Sequence, residues 1–135
     1  MTNPPSPTAD LLIHVDGASR GNPGPASVGG VLVRAEDSEY IGTTTNNVAE
    51  YTALIFALEE AAVLGARNVT VKTDSQLLAR QYTGEYKTKE PHVKMLQTIV
   101  RHLARRFDRC DVLHVPREEN KVADKLANEA LDRVL

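Results

Sequence analysis

The sequence predicts an α/β domain built on a mixed five-stranded sheet, three antiparallel strands followed by parallel ones, with helices on its faces. Three observations predict it. Three short apolar or β-branched runs crowd the first third of the chain, at 11–15, 27–34 and 39–45. Two later runs of the same kind, 68–74 and 111–116, alternate with helical stretches, as parallel strands returned by right-handed crossovers do. The chain of 135 residues has no internal repeat and holds one sizeable core.

Taken in order, residues 1–9 are rich in Pro, Ser and Thr and read as a disordered tail ahead of a domain over 10–135. LLIHV (11–15) is an apolar strand ending at Asp16. GASRGNPGPAS (17–27), crowded with Gly and Pro, reads as a loop. SVGGVLVR (27–34) and EYIGTTT (39–45) are strands separated by an acidic turn, AEDS (35–38). A helix from about 48 to 64 closes at Gly65, the residue type that favours the position just past a helix end. NVTVKTD (68–74) is a β-branched strand ending at Asp74, and SQLLARQY (75–82) a short helix with Ser75 near its start. GEYKTKEP (84–91) is a basic turn whose Pro91 opens a helix from 92 to about 107. DVLHVP (111–116) is the fifth strand, and Asn120 caps a final helix over 121–135.

Composition narrows the function classes. One cysteine, Cys110, precludes an internal disulfide and fits a reducing compartment. The first ten residues lack the basic and apolar regions of a signal peptide, and no apolar run approaches membrane-spanning length, so a soluble cytoplasmic protein is expected. With aromatics at 4% and no Trp, a base-stacking platform is disfavoured. The net charge of −2 conceals a gradient. Residues 1–66 carry 2 Lys/Arg against 8 Asp/Glu, residues 67–109 carry 10 against 4, and residues 110–135 carry 4 against 6. The basic middle is either a grip on a phosphate backbone or a solvated helix face.

The topology also makes a geometric prediction. Strands 1 and 3 run toward one edge of the sheet, and crossovers make strands 4 and 5 parallel to them. Asp16 and Asp74, at strand ends, and Glu50 and Asp124, in the first turns of helices that follow strands, therefore converge on the carboxyl edge, where open α/β sheets bind ligands. Clustered carboxylates repel one another unless something positive joins them. Mg²⁺, a hard cation that takes oxygen ligands, is the natural choice. Two such ions about 3.5–4 Å apart can activate a water on one side of a phosphodiester and stabilise the leaving oxygen on the other. Taken singly, each acid has a plainer explanation. Asp16 can be a turn former, Glu50 and Asp124 can complement helix dipoles, and Lys72 can pair with Asp74 on one strand face. Their shared edge favours the joint functional reading.

DGASRGNPGPAS (16–27), TTNNVAEYTAL (44–54), KTDSQLL (72–78) and REENKVADKLANEAL (117–131) together resemble ribonuclease H, type 1, of prokaryotes, over nearly all of 11–131. The resemblance implies a ribonuclease H-like fold and an endoribonuclease that cuts the RNA strand of an RNA–DNA hybrid, leaving 3′-hydroxyl and 5′-phosphate ends. It implies that Asp16 bridges two Mg²⁺ ions (Mn²⁺ a possible substitute), Glu50 and Asp74 hold one, and Asp124 helps hold the other. Asn22, Asn46, Ser75 and Gln76 match positions that read RNA 2′-hydroxyls and adjacent base edges in the minor groove, while Thr45 and Asn47 match positions facing the DNA strand. Gly21 and Gly24 match points of close backbone approach. For Asn46 and Asn47, capping of the helix before Glu50 is the competing role.

Two departures from the family pattern stand out. Many members carry an extra basic helix and loop that grips the hybrid, whereas here only TGEYKTKEPHV (83–93) joins the second and third helices, with Lys87 and Lys89 as a smaller set of phosphate contacts. VPREEN (115–120) is too short for the mobile His that assists product release in relatives. Arg117 is the candidate substitute, with plain surface solvation the alternative, and Asn120 combines capping with water or phosphate positioning. His114, inside its strand, reads as structural, and His14, His92 and His102 lack ligand spacing. The competing functional classes are a hybrid-binding module that no longer cuts and an exonuclease on the same sheet. Nothing in the sequence demands more than a monomer.

Overall fold

The structure, a computed structural model, describes residues 10–19, 24–32, 35–125 and 128, so the expected tail over 1–9 and Asn22 lie outside the described residues. Five strands, β1 (Asp10–Ser19), β2 (Gly24–Leu32), β3 (Ala35–Thr44), β4 (Asn68–Thr73) and β5 (Arg109–His114), form one sheet in the order β3-β2-β1-β4-β5. β1 pairs antiparallel with β2, and β2 with β3, while β1–β4 and β4–β5 are parallel. The expected mixed sheet is thus present, with β1 at its centre.

The hairpins are longer than the sequence suggested. β1 continues past Asp16 to Ser19 and β2 begins at Gly24, pairing Gly17 with Val28 and Ser19 with Ala26, so much of the expected 17–27 loop is strand. The acidic stretch 35–38 is likewise strand, with Leu32 opposite Ala35 and Asp37 opposite Gly30. Gly and acidic residues disfavour isolated strands, but a paired neighbour satisfies their backbone groups and overrides that weak preference.

α1 (Asn46–Val63) is rich in Ala, Leu and Glu, all strong helix formers. Thr45 caps it, its Oγ1 accepting from the Val48 N–H at 3.3 Å. That places Glu50 in the second turn, and the capping expected of Asn46 or Asn47 falls to Thr45. At the other end Gly65 adopts φ +78° and its N–H donates to the Ala62 carbonyl. α2 (Gln76–Tyr82) is capped by Ser75, whose Oγ accepts from Leu78 N–H at 3.1 Å. α3 (Pro91–Ala104) starts with Pro91 at its first position and stops earlier than expected. The Asp108 and Arg109 amides both donate to the Arg67 carbonyl, drawing the chain off the helix axis and into β5. A 3₁₀ turn, Arg117–Asn120, then leads into helix at 121–125.

α1 packs on β1 and β2 and is covered by α3. Ile13, Val15, Val69, Val71 and Val112 from the sheet meet Leu54, Leu58, Leu78, Val93, Val100 and Leu103 from the helices in one core. Ala49, Ala53, Ala57 and Ala61, spaced four apart, form a buried stripe of small side chains along α1 that permits close packing there. The buried Tyr51 hydroxyl donates to Gln81 Oε1 at 2.8 Å and accepts from Gln97 Nε2 at 3.1 Å, which ties the three helices together without leaving a polar group stranded. Among the described residues, no helix is long and apolar enough to cross a membrane.

Leu58 is fully buried, whereas Val63 on the same helix is 80% exposed. In urea denaturation Leu58→Ala is expected to cost about 2–5 kcal/mol, and Val63→Ala less than about 0.5 kcal/mol. Similar losses for both would contradict the assigned position of the core.

Candidate active site

The site follows from the register of two parallel strands. Val15 pairs with Thr73 at the end of the β1–β4 ladder, so the next residues, Asp16 and Asp74, emerge side by side where β4 leaves the sheet. Thr73, fully buried, shapes that departure, its Oγ1 accepting from the Ser75 N–H at 3.0 Å. α1 brings Glu50 over the same edge. Carboxylate oxygens of Asp16, Glu50 and Asp74 all lie within 4.8 Å of one another. Asp124, on the helical segment after the 3₁₀ turn, lies within hydrogen-bonding reach of Asp16 and outside this tight trio. Three of the predicted acids thus share one cluster and the fourth touches it through Asp16.

Asp16 is only 4% exposed. Burial first, then the charge of Glu50, with further contributions from Asp124 and Asp74, pushes its carboxyl from an ordinary 3.8 up to about 10. Arg117 pairs with the cluster from outside, its Nε 3.6 Å from Asp74 Oδ2. Arg117 is 81% exposed and Asp74 12%, so solvent screens much of this pair's effect. Lys72, the partner sequence suggested for Asp74, makes no ion pair with it among the described residues. An all-oxygen donor set of this density, around a carboxyl whose pKa burial and its acidic neighbours raise, fits a hard divalent cation such as Mg²⁺.

Around the acids stand two helix starts. Thr45, Asn46 and Asn47 begin α1, and Ser75 and Gln76 begin α2. The Thr45 and Ser75 oxygens accept capping bonds, which leaves their O–H groups able to donate. Asn46 and Gln76 are exposed, and Asn47 Oδ1 is buried without accepting a hydrogen bond among the described residues. Lys87 and Lys89 are exposed on the segment joining α2 to α3 and enter no ion pair among the described residues. That segment is anchored to α2 by Tyr86, whose ring packs under the Arg80 guanidinium 5.1 Å from its centroid and whose amide donates to the Arg80 carbonyl.

Asn120 differs from expectation. It is 1% exposed, and among the described residues its side-chain bonds run to β1 and not to the helix that follows: its Nδ2 donates to the Val15 carbonyl at 2.7 Å. Buried in this way it cannot meet substrate directly. Asn128, which sequence reasoning passed over, donates through Nδ2 to the Asp124 carbonyl at 3.0 Å and reaches Oδ1 at 3.4 Å. The signal was its spacing, one helical turn after Asp124.

Comparison with known proteins gives the arrangement its relatives. The family described as reverse transcriptase-like matches residues 14–130. Ribonuclease HI of Halobacterium salinarum is 50% identical over 125 residues, covering 88% of this chain and 63% of that protein, so this chain spans less than two thirds of its relative's length. The solved ribonuclease H1 of Halobacterium salinarum superposes with a TM-score of 0.90 at 48% identity, over 92% of this chain and 98% of that one. LC11-RNase H1, isolated from compost and solved in complex with an RNA/DNA hybrid, gives 0.88 at 43% identity, over 92% and 98%.

Without divalent cations the folded chain keeps a proton on Asp16 that the unfolded chain releases, so stability falls as pH rises from 3.8 to about 10. In EDTA, Asp16→Asn, neutral throughout, is expected to melt higher than the unsubstituted chain at about pH 8 and to lose stability less steeply with pH. Parallel melting curves across that range would refute the assigned cause.

Proposed function

Since the chain belongs to the ribonuclease H family, type 1, we propose that it is a metal-dependent endoribonuclease that hydrolyses the RNA strand of RNA–DNA hybrids and leaves 3′-hydroxyl and 5′-phosphate ends. The observation that carries the proposal is the packing of Asp16, Glu50 and Asp74 into one oxygen-lined cluster with Asp124 against Asp16. Two bound Mg²⁺ ions, or Mn²⁺ in their place, supply the activation of water and the stabilisation of the leaving oxygen.

The chain's own residues divide the remaining work. Asp16, central among the acids, would be shared by the ions, with Glu50 and Asp74 helping to hold one and Asp124 the other. A phosphodiester laid across the cluster meets the N-terminus of α1, where the helix dipole favours negative charge. Asn46, Ser75 and Gln76, with Asn22, read 2′-hydroxyls in the minor groove, while Thr45 and Asn47 face the DNA strand. The buried, unsatisfied Asn47 Oδ1 supports this, because a hydrogen-bond donor from the hybrid relieves its desolvation. Arg117 steadies Asp74 and presents a cation beside the reacting phosphate, which suits it to part of the mobile histidine's role. Lys87 and Lys89 contact backbone phosphates as a reduced handle.

Side-by-side digestion of a hybrid, a DNA duplex and an RNA duplex in Mg²⁺ tests the substrate class. The hybrid is expected to be cut internally on its RNA strand, EDTA is expected to stop the reaction, and Asp16→Asn is expected to abolish cleavage while remaining folded. Near-normal turnover by that variant would sink the metal-ion assignment. Replacing Lys87 and Lys89 together by Ala is expected to raise KM severalfold at unchanged kcat, and to reduce the slope of log affinity against log salt by about 1–2. An unaltered slope would show that neither lysine meets a phosphate.

A further inference from the structure

Asn120, 1% exposed, is among the most deeply buried side chains of the described residues, and a buried amide needs partners for both of its ends. Both ends of that amide point at β1. Nδ2 donates to the Val15 carbonyl at 2.7 Å, and Oδ1 lies 3.2 Å from His14 Nδ1. Val15 is the last β1 residue paired with β4, and the residue after it is Asp16. Asn120 ends the 3₁₀ turn, and Asp124 lies one helical turn further on. One side chain thus joins the backbone immediately before the central acid to the segment that presents the outlying one.

Asp124 is the acid that stands outside the tight trio. A cation that draws on both Asp16 and Asp124 needs the two carboxylates held close, although once ionised they repel each other. We infer that Asn120 is a positioning residue that holds the Asp124 segment against β1, so that Asp16 and Asp124 form one preorganised cation site before any cation arrives. The inference rests on the proposed function for its catalytic consequence, though the clamp itself concerns cation binding. Groups that orient metal ligands typically change metal affinity by about 10–100-fold when removed.

The variants separate clamp from filler. Asn120→Asp keeps the size and the Oδ1 acceptor but deletes the donor to Val15, and Asn120→Ala deletes both contacts. His14→Phe keeps the bulk of a half-buried ring and removes only the Oδ1 partner. Mn²⁺ binding by isothermal titration calorimetry is expected to weaken about 10-fold in the two Asn120 variants, and in the same direction by less in His14→Phe. In hybrid cleavage, kcat is expected to fall at low Mg²⁺ and recover as Mg²⁺ is raised, with KM for the hybrid within about twofold of the unsubstituted chain. A residue that merely fills space lowers the melting temperature without moving either cation dependence. Folded Asn120 variants that bind Mn²⁺ and respond to Mg²⁺ as the unsubstituted chain does would overturn the inference. Should neither Asn120 variant fold, the same titrations on His14→Phe decide it. An unsubstituted chain that binds Mn²⁺ but leaves hybrids intact sinks the nuclease proposal alone, because the calorimetry still judges the clamp. One that binds no Mn²⁺ overturns both.

Discussion

Every feature of the site depends on the parallel register in which Val15 lies beside Thr73. The register is set by apolar side chains, Ile13 and Val15 on β1 and Val69 and Val71 on β4, all essentially excluded from solvent. A slip of one residue would turn those side chains out of the core, so the hydrophobic pattern strongly enforces the pairing. The same pairing makes Asp16 and Asp74 neighbours, although their charges oppose it. Core burial thus holds together carboxylates that would otherwise separate, and the raised pKa of Asp16 comes first from that burial and then from the charge of Glu50. A divalent cation relieves the same opposition with charge instead of a proton.

The segments that leave the sheet at this edge complete the constellation. β3 and β4 each hand the chain to a helix whose first residues are polar, and the caps on Thr45 and Ser75 fix the path of those residues. Glu50 approaches from α1 and Asp124 from the segment that Asn120 ties to β1. Asn128 orients Asp124 from the next turn. Asp124 is thus supported by uncharged groups, whereas Asp74 meets the exposed Arg117.

The basic middle of the chain holds some cations in local ion pairs and others outside any ion pair among the described residues. Arg67 pairs with Asp108, Arg109 with Asp111, and Arg80 with Glu85 and the Tyr86 ring, all as parts of local structure. Lys87 and Lys89 remain exposed without an ion pair among the described residues, on the segment that joins α2 to α3. Net charge summed over a segment cannot separate cations spent on neighbouring acids from cations open to a phosphate; the ion-pair geometry does.

The sequence by itself determined the alternation of strands and helices, the helix ends at Gly65 and Pro91, and the identity and chain order of Asp16, Glu50, Asp74 and Asp124, because these follow from local periodicity, backbone preference and the direction each strand must run. The tertiary structure decided what depends on distant partners. It extended β1 and β2 through a Gly- and Pro-rich stretch, gave Thr45 the cap that Asn46 or Asn47 was expected to supply, and set Arg117 rather than Lys72 against Asp74. It also buried Asn120 against a carbonyl 105 residues away. A polar side chain's intrinsic chemistry names what it can bond, but only the folded packing determines which partner is within reach.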